Sequence, residues 1–343
     1  MKISDKIIVI IKNNKAVLFS FCFILGILFY TYFTPNYFPG NSEVEYLVKK
    51  GDNMSKVVED LYKLKVIPNK TNFKIAAFIT GADKKLRAGY YRFKSGTTYF
   101  ELIDLLTSEG HNFQKLVTLP EGLWQHKMAQ ILQKEAAVDS SEFINLSYDV
   151  NFIRKLGLDV NNLEGYLLPE TYYFEVPASA EDVIKKLKSE NDKIFSDSVL
   201  QQIKEMGLTR HKILTLASII EGESNKPSEF KTISGVYHNR LKKGMLLQAD
   251  PTIQFLKRHR NDKNRILYKD LEINSPYNTY IYAGLPPGPI NNPGKDAILA
   301  AIYPEKNNYL FFVADGNGGH NFSRTYGEHL VNQNKYRIWR DSQ

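Results

Sequence analysis

The chain has 343 residues, of which 43% are hydrophobic and 24% charged, and a formal net charge of +8. This is ordinary globular material, long enough for one large or two moderate domains with real cores. The basic excess is dispersed rather than gathered into a stripe, so it suits an anionic polymer or a membrane surface and argues against nucleic acid.

In chain order, Lys2, Lys6, Lys12 and Lys15 precede an uncharged apolar run at 16–33, just long enough for one transmembrane helix. No small-residue cleavage site follows in Tyr30-Thr-Tyr-Phe-Thr-Pro35, which favours an anchor over a signal peptide. The lysines place residues 1–15 in the cytoplasm and everything after about residue 34 outside the cell membrane. The only cysteine, Cys22, lies in the apolar run, so no disulfide is available to the outer part.

A short Pro- and Gly-containing linker is expected at 34–42, then a small module at 43–110. Glu45-Tyr-Leu-Val48 alternates like a strand, and Met54, Val57, Val58 and Leu61 recur at helical spacing behind a cap at Asp52 or Asn53. A second helix at 72–80, a strand at 86–93 and a helix at 100–107 complete it. The order strand, helix, helix, strand resembles a LysM-like glycan-binding module, with Val48-Lys-Lys-Gly-Asp52 at its opening turn. Such a unit can equally be a spacer.

Residues 111–343 read as a larger mixed domain. Val117-Thr-Leu-Pro-Glu-Gly122 is a strand running into a turn, followed by an amphipathic helix around Met128, Ile131 and Leu132. Residues 140–205 are mainly helical and polar, interrupted by the aromatic-rich Leu163-Glu-Gly-Tyr-Leu-Leu-Pro-Glu-Thr-Tyr-Tyr-Phe174. Tyrosines in such a strand are more often core than a sugar platform. The whole chain is therefore expected to be α+β: a transmembrane helix, a βααβ module, and a larger domain with a cleft.

Lys212-Ile-Leu-Thr-Leu-Ala-Ser-Ile-Ile-Glu221-Gly-Glu223-Ser224 drives carboxylates into the end of a strongly apolar helix. Desolvation there raises a carboxyl pKa toward the working pH, as proton donation to a leaving group requires. At helical spacing Ile213, Ala217 and Ile220 centre the apolar stripe, Thr215 and Ser218 lie opposite, and Glu221 and Glu223 fall near its two borders. Periodicity does not choose between the two acids, and residues two apart do not face each other. Gly222 is expected to end or bend the helix at Glu221.

A helix at 230–241 follows, then Leu247-Gln-Ala-Asp-Pro-Thr252, Tyr277-Asn-Thr-Tyr280, Gly284-Leu-Pro-Pro-Gly-Pro-Ile290 and Asn291-Asn-Pro-Gly294. These read as irregular segments around a cleft, with Pro and Gly fixing the backbone while Gln, Asn, Asp and Tyr offer hydrogen bonds to a polyhydroxylated ligand. Tyr309-Leu-Phe-Phe-Val313 reads as a buried strand, Asp315-Gly-Asn-Gly-Gly-His320 as a tight turn and 317–323 as a loop. Seven scattered histidines without His-Glu-x-x-His spacing, the lack of a Gly-x-Ser-x-Gly elbow, and a Gly-rich stretch without the phosphate-loop Lys give no reason to expect a metal or cofactor.

Taken in order, Leu216-Ala-Ser-Ile-Ile-Glu221, Asn239-Arg-Leu241, Leu247-Gln-Ala-Asp-Pro-Thr252, Tyr277-Asn-Thr-Tyr280, Gly284-Leu-Pro-Pro-Gly288 and Phe312-Val-Ala-Asp-Gly316 with Gly319-His320 resemble the YceG-like endolytic murein transglycosylase family. The resemblance implies a membrane-anchored lyase that cuts nascent peptidoglycan strands between N-acetylmuramic acid and N-acetylglucosamine, leaving 1,6-anhydro ends and limiting strand length. It puts the catalytic carboxyl on Glu221, gives Glu223 a supporting part, and implies peptidoglycan synthases, the penicillin-binding proteins, as partners. Gln248, Asn278, Tyr280 and His320 are the candidate substrate-binding residues. Two other functions compete. A hydrolytic muramidase would need a second carboxylate such as Asp250, and a non-catalytic glycan-binding scaffold would rest on residues 45–107 alone.

Overall fold

The structure, a computed structural model, describes residues 15–37, 43–49, 51–108, 113–259 and 266–343. The chain divides into two compact units. The first holds the described residues up to Gln114 with Glu175–Pro177, and the second holds Lys115–Phe174 and Ala178–Gln343.

In the first unit α1 (Lys15–Phe33) is followed by β1 (Val44–Val48), α2 (Met54–Lys63), α3 (Lys70–Thr80), β2 (Gly89–Phe93) and α4 (Tyr99–Thr107). Helices α2, α3 and α4 each start at a side chain that accepts from one of the free N–H groups. Asn53 accepts from Lys56 N, Asn69 accepts from Asn72 N, and Thr98 forms a capping box with Glu101. Once capped, α2 turns Met54, Val57, Val58 and Leu61 inward, and β1 and β2 pair antiparallel from Val44 opposite Phe93 to Val48 opposite Gly89. Phe73, Phe93, Leu102 and Leu106 close this core. The order strand, helix, helix, strand is present; beyond that order nothing in the fold identifies a LysM module.

The apolar run at 16–33 lies within α1. Tyr32 is buried and its ring meets Tyr99 and Phe100, while the described side chains from Leu18 to Tyr30 are exposed. Among the described residues no helix is long and apolar enough to cross a membrane, so the fold does not itself establish the expected span. Residues 1–14 of the expected cytoplasmic segment, 38–42 of the expected linker and 109–112 at the expected module boundary lie outside the described residues.

The second unit begins within β3 (Phe113–Thr118), at Lys115, and continues with α5 (Gln125–Ala136), α6 (Ser140–Tyr148) and α7 (Val150–Lys155). Next come β4 (Thr171–Val176), which pairs with β3, then α8 (Ala180–Asp192), α9 (Asp197–Glu205) and α10 (Arg210–Glu223). It ends with α11 (Phe230–Lys242), α12 (Asp250–Leu256), α13 (Lys295–Ile302), the hairpin of β5 (Phe311–Ala314) and β6 (His320–Ser323), and α14 (Tyr326–Asp341). Tyr166, Leu167, Tyr172 and Phe174 are buried, so the aromatic-rich segment is largely core. Two expectations near the C-terminus are corrected. The strand at 311–314 is only half-buried, because it is one side of a two-stranded hairpin, and residues 320–323 are strand rather than loop. The turn between them is fixed by Asp315, whose Oδ1 accepts from Asn317 N at 2.7 Å and Gly319 N at 2.9 Å.

Helix α10 is the axis of this unit and packs against α11, α12 and α13. All eight residues from Ile213 to Ile220 are buried, which corrects the amphipathic reading, since Thr215 and Ser218 face protein and not solvent. Their hydroxyls avoid the cost of burial by bonding the helix itself, Thr215 Oγ1 to His211 O and Ser218 Oγ to Thr215 O, both at 2.8 Å. Along one side of α10 runs the segment 287–294. His211 Nε2 meets Pro287 O at 2.7 Å, Ile290 N donates to Ser218 Oγ at 3.0 Å, Asn291 Nδ2 donates to Ser218 O at 2.8 Å, and Gly294 N donates to Glu221 Oε2 at 2.9 Å.

The helix does not stop at Glu221. It continues regularly through Glu223 to a cap at Ser224. Gly222 is there for space, because a Cβ at that position would lie 2.6 Å from Pro251 Cβ at the start of α12. Helix propensity alone predicts that Gly222→Ala stabilises the chain by about 1 kcal/mol. Overlap with a rigid proline ring reverses the sign, and we expect a net loss of about 1–3 kcal/mol in denaturant unfolding. A gain would mean that the start of α12 yields freely.

Candidate active site

The exit of α10 carries two acids that face different surroundings. Glu221 is half-buried beside the turn between β3 and α5, with its Cγ 3.3 Å from where a Cβ of Gly122 would be. Its Oε2 accepts from Gly294 N, the N-cap of α13. On the other side of Gly294 stands the Glu121 carboxyl, so close that any side chain at 294 would overlap it. Burial is the main cause that pushes the Glu221 pKa up to about 7; the Gly294 bond opposes it, and the charges of Glu121 and Asp296 add to it. Burial, then Asp296 and Glu170, raises the Glu121 pKa as well. The result is a carboxyl that is about half protonated at neutral pH, which suits a group that must first give a proton and then take one.

Glu223 projects to the opposite side, as two residues along a helix require. Tyr237 donates its hydroxyl to Glu223 Oε1, and burial pushes the Glu223 pKa up to about 8, opposed by that bond and by Arg240 and helped by Asp250. A cleft of about 450 Å³ opens here, lined by Glu223, Arg240, Gln248, Asp250, Tyr280 and His320 among others. Three of the four expected binding residues therefore meet in one place. Gln248 sits at φ 49°, in the left-handed region that a residue with a Cβ enters at a cost of about 1–2 kcal/mol. Two bonds hold it there, Gln248 N to Thr279 O at 3.0 Å and Ala249 N to Thr279 Oγ1 at 2.9 Å. Tyr280 donates its hydroxyl to Asp250.

His320 enters the same cleft from the start of β6, held by Glu229: its Nδ1 lies 2.7 Å from Oε2 and its N–H donates to Oε1 at 2.9 Å. Burial works against the Glu229 carboxylate, but the bonds from His320 outweigh it and keep its pKa below the ordinary value. Asn278 has a different place. It is fully buried, its Nδ2 donates to Leu271 O and Ile273 O, and its Oδ1 accepts from Tyr280 N, so its amide braces the turn that positions Tyr280. Asp250 likewise is committed to Tyr280 on the Glu223 side of the helix. The acid beside Glu221 is Glu121, which the sequence reading passed over. Its one signal was the Pro-Glu-Gly turn after β3, and nothing local shows that this turn folds back onto the end of α10.

Among the described residues no three or more His, Cys, Asp or Glu side chains are grouped to hold a metal ion.

The model of the YceG-like family matches residues 46–335. A Bacillus subtilis (strain 168) protein named endolytic murein transglycosylase is 35% identical over 305 residues, covering 84% of this chain and 83% of its own. A protein of the same name from Streptococcus pneumoniae serotype 2 is 31% identical over 259 residues, which is 67% of this chain but 47% of that longer one. The crystal structure of a yceG-like protein from Listeria monocytogenes superposes with a TM-score of 0.60 at 29% identity, over 85% of this chain and 99% of that one. A match that runs through both compact units and through every segment around α10 leaves one conclusion: the chain belongs to the YceG-like family.

Proposed function

We propose that this chain is a membrane-anchored lytic transglycosylase of murein, a lyase, and that Glu221 is its catalytic acid and base. The observation that carries the reading is the state of that carboxyl: half-buried at the exit of a buried helix, pKa about 7, one oxygen fixed by the Gly294 N–H. Protonated Glu221 gives its proton to the glycosidic oxygen as the bond from muramic C1 breaks, leaving the 4-hydroxyl on N-acetylglucosamine. The carboxylate then takes the proton of the muramic 6-hydroxyl while that oxygen bonds to C1. The product carries a 1,6-anhydro ring, no water is consumed, and Glu221 ends as it began. Attack from within the same sugar gains from proximity. Groups of the neighbouring cleft, Gln248, Tyr280 and His320, are suited to hold the adjoining sugars, and Glu223 to shape that cleft.

The anchor is the uncharged run within α1, with the lysine-rich N-terminus in the cytoplasm and the two compact units outside. That position puts the enzyme beside newly made strands and their synthases, where internal cuts limit strand length.

One observation favours a second reading. Glu121 beside Glu221 supplies the extra carboxylate that a hydrolase needs to activate water. The end group separates the two. Mass spectrometry of murein treated with the full chain in detergent is expected to show anhydro-muramic ends, reduced by at least about a hundredfold in Glu221→Gln. Reducing ends instead would establish the hydrolase, and no cut by the wild type would remove both.

The pH profile adds a second test. Proton donation needs neutral Glu221, so kcat/KM is expected to fall as pH rises through about 7. The Glu121 charge helps hold that pKa up, so Glu121→Gln must lower it and move the alkaline limb to lower pH. An unmoved limb in Glu121→Gln would show that the two carboxyls do not sense each other.

A further inference from the structure

The function above does not use the buried acid Glu164. Glu164 is 6% exposed, and the hydrogen bonds its carboxyl accepts among the described residues fall on Oε1, from Gln125 N at 3.1 Å and Asn292 Nδ2 at 2.7 Å. Its side chain lines a cavity of about 520 Å³ at the N-terminal end of α10, within the range of about 300–1,000 Å³ usual for small-ligand sites. The cavity has one aromatic wall, the half-buried Tyr277, and a rigid floor at Pro287–Gly288–Pro289, while the Tyr166 ring is buried against His211.

The cavity's charge balance narrows what it can hold. Burial pushes the Glu164 pKa up to about 8, opposed by its bonds and by Arg258, so at neutral pH it is largely an uncharged acid with a proton to donate. The Arg210 guanidinium is already matched by Asp192 at 2.7 Å. Both ring nitrogens of His211 are engaged, Nε2 at 2.7 Å from Pro287 O and Nδ1 at 2.7 Å from Tyr166 Oη. The remaining acid, Asp159, is on the exposed rim. What faces the cavity between these groups is the Glu164 carboxyl, the side chains of Asn161 and Asn162 and the half-buried Tyr277 ring. Uncharged hydrogen-bonding groups beside an aromatic ring match a neutral sugar, whose hydroxyls and acetamido group both donate and accept and whose ring stacks on tyrosine.

We propose that this cavity is a second saccharide site, for an N-acetylated sugar, built at the opposite end of α10 from Glu221. Ten residues of helix separate His211 from Glu221, about 15 Å at 1.5 Å per residue, beyond the reach of one sugar ring. The segment 287–294 lies along α10 between the two places, touching His211 at one end and Glu221 at the other. A strand bound at both would be long and cut away from its ends. The inference rests on the glycan reading above.

The test uses the full chain carrying Glu221→Gln, so that the probe survives, and a β-1,4-linked N-acetylglucosamine tetramer bearing a photoreactive diazirine. Crosslinked residues are mapped by mass spectrometry. We expect crosslinks at 157–162 and 287–289, falling by at least about tenfold in Asn161→Trp, which fills the cavity from an exposed rim position. Val160→Trp provides a second filling variant, and a melting curve for each verifies that it is folded. Crosslinks confined to the surroundings of residues 221–223, 248 and 320, or cavity crosslinks indifferent to both tryptophans, overturn the second site. Absence of crosslinks also overturns it. If wild type still cuts murein, only this inference falls; if it does not, the glycan reading falls as well.

Discussion

Between Ile213 and Ile220 helix α10 has no solvent face, and the second unit is organised around that constraint. A helix buried on every side must satisfy its polar side chains internally, and Thr215 and Ser218 do so by bonding its own backbone. It must also be covered along that stretch. Helices α11, α12 and α13 cover part of it, and the irregular segment 287–294 covers another side, its prolines fixing the path and its amides and Asn291 supplying bonds. What emerges from this enclosure at Glu221 and Glu223 is two carboxyls that water reaches poorly. The same burial that stabilises the unit therefore raises both acids toward neutral pH.

The two acids are then told apart by their neighbours. Glu221 looks onto Glu121, Asp296 and a single backbone N–H, so repulsion adds to desolvation and one oxygen is left unpaired by Gly294. Glu223 looks onto Tyr237 and Arg240, which partly offset its burial, and it belongs to a cleft whose other groups hold one another: Tyr280 with Asp250, His320 with Glu229. An acid with few fixed partners is the better proton carrier, and an acid tied into a network is the better wall. The strained Gln248, kept at positive φ by the turn at Thr279, belongs to that wall and is where backbone energy has been spent on aiming a side chain.

Much of this was legible in the sequence, for identifiable reasons. A helix with a capping residue and a regular apolar spacing, such as α2 behind Asn53, appears where the pattern puts it, because both signals act within one or two turns. The amphipathic reading of α10 failed because a hydroxyl that bonds its own helix is indistinguishable in sequence from one that faces water. Gly222 was read as a helix terminator, whereas its partner Pro251 lies far along the chain and cannot be seen from the local pattern. Asn278 was expected at the ligand and instead holds the turn beneath Tyr280, since an asparagine in a turn motif serves either purpose with the same letters.

By itself the sequence determined the local chemistry: which stretches are helical, where a carboxyl ends an apolar run, which Pro, Gly and Asn segments are irregular, and, through the order of its motifs, the family. Only the tertiary structure decided which groups share a field. It set Glu121 across Gly294 from Glu221, gathered Gln248, Tyr280 and His320 against Glu223, and closed a cavity around Glu164. The reason is physical. Secondary structure answers to bonds within a few residues, whereas desolvation and charge coupling depend on what the rest of the chain brings within a few ångströms, and no local pattern encodes that.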